Sequence, residues 1–205
     1  MTDYPLDMPT TPGAVSCQVR LAHRVSGTTS PFTGSEQIND LQSMQWEVDI
    51  TLPPMSRTDA AKWKAFFAKL RGPVGTFLAG EGLARQPLGA SSGAPVIDGG
   101  GQQGVTLNTR GWTPDTVNVL VAGDYVQVDQ AGAARLHMVV ENASSDADGK
   151  AALVIEPPLR LPTVDGVLIV TNGARGVFRL TTTSPGWASD LNRTATITVS
   201  GREVI

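Results

Sequence analysis

The chain alternates apolar and polar residues in short runs, a period typical of β-strands whose two faces meet different surroundings. The clearest run is QWEVDITLPP. One face of this predicted strand carries Trp46, Val48 and Ile50, and the other carries Glu47 and Asp49. The Pro-Pro pair ends the strand because proline lacks a backbone donor. A similar alternation in CQVRLAHRV predicts an earlier strand, and the SGTTSPFTGSEQ that follows it is predicted to be a turn-rich loop.

One segment, PPMSRTDAAKWKAFFAKLRGPVG, has helical spacing instead. Trp63, Phe66, Phe67 and Leu70 fall at i, i+3, i+4 and i+7, so they form one apolar stripe. The hydroxyl of Ser56 is placed to cap the first turn, and a Gly-Pro pair ends the helix. We expect the stripe to pack the helix against a sheet, because burial stabilises such a helix far more than intrinsic propensity does.

The rest of the chain predicts a second, mainly β unit. The stretch SSGAPVIDGGGQQG has no regular pattern and predicts a loop or boundary. Short alternating runs then recur every ~8–15 residues, which favours a small antiparallel barrel or sandwich. The last run, TATITVSG, is placed to pair with the first strands. The predicted fold is therefore a β-sandwich with one packed helix, residues 1–80 with 176–205, plus an inserted small antiparallel barrel, residues 81–175.

The composition reduces the number of function classes that the chain is expected to have. The chain has 205 residues and a charged fraction of only 17%, so we expect partners to cover much of its surface. The net charge of −3 comes without a basic run, so sequence-specific nucleic-acid binding is not expected. A single cysteine and two distant histidines indicate neither a disulfide nor a metal or cofactor site. With no signal-like or membrane-spanning apolar run, we expect folding in the cytoplasm and no membrane contact.

Candidate catalytic and binding motifs are weak. The cluster DGGGQQG lacks the Lys-Ser/Thr ending of a phosphate loop. Asp124 and Asp129 flank one strand and would lie about 16 Å apart, beyond either glycosidase geometry. Trp112, Tyr125 and Trp187 allow a sugar-stacking platform, but each lies on or next to an alternating strand, and core positions are the favoured explanation. The chain is therefore predicted not to be an enzyme. A carbohydrate-binding module and a cell-wall hydrolase remain the alternatives.

The order of these features resembles the distal tail proteins of long-tailed bacteriophages. The resemblance rests on SPFTGSEQ, then WEVDITLPPMSRTDAAKWKAFFAKLRGPVGTFLAG, then GDYVQVD and RLHMVV, and it covers most of the chain. Its most specific part is LPPMSR followed by the tryptophan-containing helix and the later GDYVQV and RLHMVV pair.

The resemblance implies a structural virion protein of the tail tip. Six copies would close into a ring that joins the tail tube protein to the baseplate hub and to the host-binding tail-fibre proteins. The helix would cover one face of a tail-tube-like sheet, and the other face would line a channel for DNA. Six copies sum to 6 × (−3) = −18, so we expect a neutral to acidic channel wall with Glu47 and Asp49 as candidate lumen groups.

Overall fold

The computed structural model describes residues 3–82, 86–183, 186, 188–189 and 195–205. In these residues the chain is mainly β with one α-helix, as predicted. The α-helix is α1 (Arg57–Leu70), and a short 3₁₀ helix (Gly72–Val74) follows it. The strands are β1 (Leu6–Asp7), β2 (Ser16–Thr29), β3 (Glu36–Thr51), β4 (Thr76–Ala79), β5 (Gly93–Ile97), β6 (Gly104–Trp112), β7 (Tyr125–Gln130), β8 (Ala133–Val139), β9 (Lys150–Leu159), β10 (Ile169–Val170), β11 (Gly176–Leu180), β12 (Ala188–Ser189), β13 (Ala195–Thr196) and β14 (Thr198–Glu203).

The first six-stranded sheet contains strands from both ends of the chain, in the order β1-β4-β11-β14-β3-β2. All its neighbours are antiparallel except β1 and β4. The last run pairs with an early strand, since Val199 lies opposite Ile50 in the β14–β3 ladder. The alternation read from the sequence separates two faces, which we call inner and outer. The inner face carries Trp46 and Ile50, both buried, and the outer face carries Glu47.

Helix α1 covers part of the inner face. Ser56 is its N-cap, and the Ser56 hydroxyl accepts a hydrogen bond from the backbone N–H of Asp59, as the sequence predicted. The helix ends at Leu70, after which Arg71 adopts a left-handed conformation. The four stripe residues are buried with the sheet residues in one hydrophobic core: Trp63, Phe66, Phe67 and Leu70. The rings of Phe66 and Phe77, one on the helix and one on β4, meet edge to face with centroids 6.1 Å apart.

The second sheet is a nearly closed six-stranded antiparallel barrel, in the order β10-β7-β8-β9-β6-β5. A bridge between Val96 and Leu168 brings its two edges together. The barrel has its own core of fully buried residues, including Leu107, Leu153 and Ile155. The sequence prediction was wrong for SSGAPVIDGGGQQG, because this stretch contains β5 and the start of β6. An edge strand of five residues, only two of them buried, gives too few alternations to be recognised among glycines.

The barrel packs against the part of the inner face that α1 leaves open. The indole N–H of Trp46 donates to the backbone oxygen of Leu136 on β8 at 2.8 Å. The Trp46 ring also lies 5.7 Å from the ring of Tyr125 on β7, measured between centroids. Leu136 belongs to the core of the first sheet rather than to that of the barrel. The inner face is thus covered by the helix and the barrel, whereas Arg20, Glu47 and Asp49 on the outer face keep 49%, 38% and 28% of their side chains exposed.

Candidate assembly surface

A long two-stranded hairpin, built from β2 and β3, extends beyond the first sheet. The two strands pair from Ser16 opposite Thr51 to Thr29 opposite Glu36. On its other side β3 pairs with β14 only from Glu47 to Thr51. Residues 36–46, about 35 Å of strand, therefore have β2 as their only strand partner among the described residues. We call residues 22–43 the protruding hairpin.

The prediction that the whole of SGTTSPFTGSEQ is a loop was wrong, because the loop is shorter. SGTTSPFTGSEQ is strand at both ends, and only Ser30–Ser35 form the turn. The turn is closed by backbone bonds from Ser30 to the oxygen of Ser35 and from Gly34 to the oxygen of Ser30, with Gly34 at φ 69°. Thr28 and Thr29 before the turn and Ile38 after it favour strand, and that signal could have identified the longer hairpin.

The protruding hairpin exposes large apolar side chains. Their exposed fractions are 59% for Val25, 95% for Phe32, 66% for Ile38 and 59% for Leu41. No described core residue covers them, since both hydrophobic cores lie elsewhere. An extended strand edge with exposed apolar groups is a site for pairing with another chain.

The outer face places the two candidate lumen residues side by side around one arginine. Arg20 on β2 donates to Asp49 at 2.6 Å and to Glu47 at 3.2 Å. The hydroxyl of Ser200 on β14 donates to the other oxygen of Asp49 at 2.5 Å. The hydrogen bonds that Arg20 donates to Glu47 and to Asp49 raise the pKa of Arg20. Both carboxylates therefore face away from the helix-covered core, and Arg20 neutralises much of their charge.

Two further arginines lie on the same face, in the row that contains Glu47. Arg179 on β11 lies directly opposite Arg202 on β14, and Arg202 lies opposite Glu47. Both arginine side chains are exposed. Three arginines (Arg20, Arg179 and Arg202) and two carboxylates (Glu47 and Asp49) thus lie on neighbouring strands of the outer face. The carboxylates alone would make an acidic wall, but these arginines cancel that charge.

A charged cluster lies between the barrel and the sheet. Glu203 on β14 is buried, and one of its oxygens accepts from the backbone N–H of Trp46 at 3.3 Å and lies 3.6 Å from Arg160. Burial raises the pKa of Glu203. Arg135 on β8 donates to the backbone oxygen of Val204, and burial lowers its pKa. No sequence pattern indicates this cluster, because its members lie far apart in the chain.

The two histidines lie in unlike places. His23 is exposed on β2. His137 is buried in the barrel, where Nδ1 lies 2.6 Å from the backbone oxygen of Pro157. Burial lowers the pKa of His137 to about 4, so its imidazole is neutral at pH 7. Nδ1 therefore carries the proton and donates to Pro157. The structure does not bring the two histidines together.

The two aspartates considered as catalytic residues do not form a site. Asp124 is buried and accepts from three backbone N–H groups, of Leu88, Gly89 and Val121, whereas Asp129 is exposed at the far end of β7. Among the described residues no group of three or more His, Cys, Asp or Glu side chains is placed to hold a metal ion.

The two described residues among those considered for sugar stacking, Trp112 and Tyr125, do not form an exposed platform. Trp112 is 3% exposed and donates its indole N–H to Thr109 inside the barrel. Tyr125 is half-buried against Trp46, and burial raises its pKa to about 12. Trp187 lies outside the described residues.

Comparison with protein-family models and with curated proteins finds no match for this chain. No helix in the described part of the chain has the length and apolar character that crossing a membrane requires.

Proposed function

We propose that this chain is a structural subunit of a bacteriophage tail tip, located in the virion. In this proposal copies of the chain, six by the resemblance, close into a ring. The ring joins the tail tube protein to the baseplate hub and the tail fibres and lets DNA pass. The chain performs no chemistry in this role. The observation that carries the proposal is the protruding hairpin, with its unpaired strand edge and its exposed apolar side chains.

The physical argument starts from the cost of such a hairpin in a monomer. A two-stranded ribbon standing alone in water is only marginally stable, and residues 36–46 of β3 have no second strand partner in the described chain. Exposed apolar groups such as Phe32 and Ile38 add a further tendency to associate. A neighbouring subunit that covers the hairpin removes both costs.

The edges of the sheet support a closed ring rather than a simple dimer. One edge is the long strand β2, and the other is the two-residue strand β1 with β4 beside it. Because the β1–β4 edge differs from the protruding hairpin, contact between the hairpin of one copy and that edge of the next is head to tail, and head-to-tail contacts close into rings when the rotation fits. The uncovered outer face is then available for a channel wall, with Glu47 and Asp49 on it.

Electron microscopy and native mass spectrometry of the purified chain test the proposal. We expect a ring with a central hole. Replacing Phe32 and Ile38 together by Asp should abolish the ring while leaving the melting temperature of the subunit within about 2 °C, because both side chains are exposed. The control is Val117→Asp, which changes a 74% exposed apolar residue of the barrel and should leave the ring intact.

Two results would refute the proposal. One is a wild-type chain that stays monomeric at hundreds of micromolar. The other is a ring that the double hairpin variant forms as readily as the wild type does, since the hairpin would then have no part in assembly.

A further inference from the structure

Arg179 and Arg202 form an arginine pair that the fold does not explain. They lie directly opposite each other on neighbouring strands of the outer face, and both are exposed. Neither guanidinium has a hydrogen bond or ion pair with any residue that the structure describes. Like charges in directly opposed positions of an antiparallel pair destabilise a sheet. Two unpaired guanidinium groups at this spacing are instead suited to bind one oxyanion from outside the chain.

The surroundings of the arginine pair favour a single carboxylate over a polyanion. A recess of about 220 Å³ lies between the two arginines, Gln45, Glu203 and Ile205, and Glu203 is already paired with Arg160 at 3.6 Å. Glu47 occupies the next position across the sheet from Arg202, and Arg20 already binds it. A nucleic-acid strand has charges at close, regular intervals, so its phosphates beside this recess would meet Glu47 and then Asp49. A single acidic side chain needs only one position in the recess, and the two carboxylates nearest to it, Glu47 and Glu203, are each paired with another arginine.

The position of the recess indicates where the acidic side chain comes from. Strand β14 ends at Glu203, and beyond that point the edge of β3 has no strand partner among the described residues. A strand from another molecule that pairs with this free edge lies end to end with β14. Its outward side chains then reach the arginine pair. We propose that Arg179 and Arg202 bind an acidic side chain of a second copy of this chain, at the contact that the protruding hairpin makes.

This inference rests on the proposed self-assembly and predicts two effects of opposite sign. In Arg179→Gln and Arg202→Gln, removing one charge relieves the repulsion within the subunit. The melting temperature of the dissociated subunit should therefore rise by about 1–4 °C. The same variants lose an intermolecular ion pair, so the concentration at half-assembly should rise about tenfold or more. The control is Arg57→Gln, an equal change in charge at the exposed start of α1, which should leave assembly unchanged.

Light scattering across a dilution series gives the half-assembly concentration, and calorimetry of dilute samples gives the melting temperature. If the wild type assembles and both arginine variants assemble equally well, this inference is wrong and the proposed function stands. If the wild type never assembles, both fail. If the wild type binds a 25-base-pair DNA duplex and the variants lose that binding without any change in assembly, the pair serves a polyanion and the inference is overturned.

Discussion

The helix stripe allows the most direct test of the fold. We expect Trp63→Ala to lower the free energy of unfolding by about 3–5 kcal/mol, the usual cost of deleting a large buried aromatic side chain. Trp63 is only 3% exposed, and its ring lies 5.8 Å from that of Phe66 and 5.9 Å from that of Phe67, between centroids. Trp63 shares one core with the sheet residues Ile50 and Phe77, so deleting its side chain leaves a gap between helix and sheet.

The expected loss of stability is large enough to measure by thermal unfolding. For a chain of this size each kcal/mol shifts the melting temperature by about 2–4 °C, so Trp63→Ala should lower it by about 6–20 °C. Differential scanning calorimetry measures this directly. The exposed residue Phe32 provides the matched control, because Phe32→Ala removes an aromatic ring that is 95% exposed and should shift the melting temperature by less than about 2 °C.

A second substitution separates packing from polarity at the same position. The indole nitrogen of Trp63 is buried without a hydrogen-bond partner among the described residues, and an unpaired buried donor costs about 1–3 kcal/mol. Trp63→Phe removes that donor while keeping an aromatic ring, so we expect it to cost at most about half as much as Trp63→Ala. A melting temperature of Trp63→Ala within about one degree of the wild type would refute the packing argument, since the side chain would then not be part of the core.

Three further predictions concern single interactions. Ser56→Ala should lower the free energy of unfolding by about 0.5–2 kcal/mol in urea titrations, because α1 loses its N-cap. His137 has a folded pKa of about 4, below the ordinary 6.5, so its contribution to stability is complete above pH 6.5 and is lost as the pH falls to 4. His137→Asn should therefore reduce the acid sensitivity of unfolding in that window by up to about 3 kcal/mol, whereas substitution of the exposed His23 should not. Arg110→Met should raise the pKa of Asp165 from about 2 towards its ordinary value in a carboxyl NMR titration, because the hydrogen bonds from Arg110 are the largest cause of its depression.

The helix and the strand that precedes it could be predicted because their signals are local. The apolar residues of the stripe from Trp63 to Leu70 repeat with the period of an α-helix, and the Ser56 cap marks where the helix begins. The alternation around Trp46 assigns each side chain of β3 to a face without any knowledge of its neighbours. Burial of a single face forces these periods on the sequence, so they can be read from it directly.

The parts that could not be predicted depend on pairing between distant strands. Nothing in the sequence places Arg179 opposite Arg202, because the register of β11 and β14 is set by the whole sheet. The contact of Glu203 with Arg160 likewise needs the barrel to be docked. Only part of the charged group on the outer face could be predicted. The alternation identified Glu47 and Asp49, but it did not identify Arg20 as their partner.

The docking of the barrel on the sheet relies on directional contacts as well as on apolar packing. Apolar contacts hold surfaces together but are non-directional, whereas hydrogen bonds require particular angles and distances. Trp46 donates to Leu136, Arg135 donates to Val204, and Arg160 approaches Glu203, so three contacts link β8 and the end of β9 to β3 and the end of β14 and fix one orientation of the barrel. In the proposed ring, this fixed orientation gives every copy the same arrangement of barrel and hairpin. Identical subunit geometry is the condition for head-to-tail contacts to close.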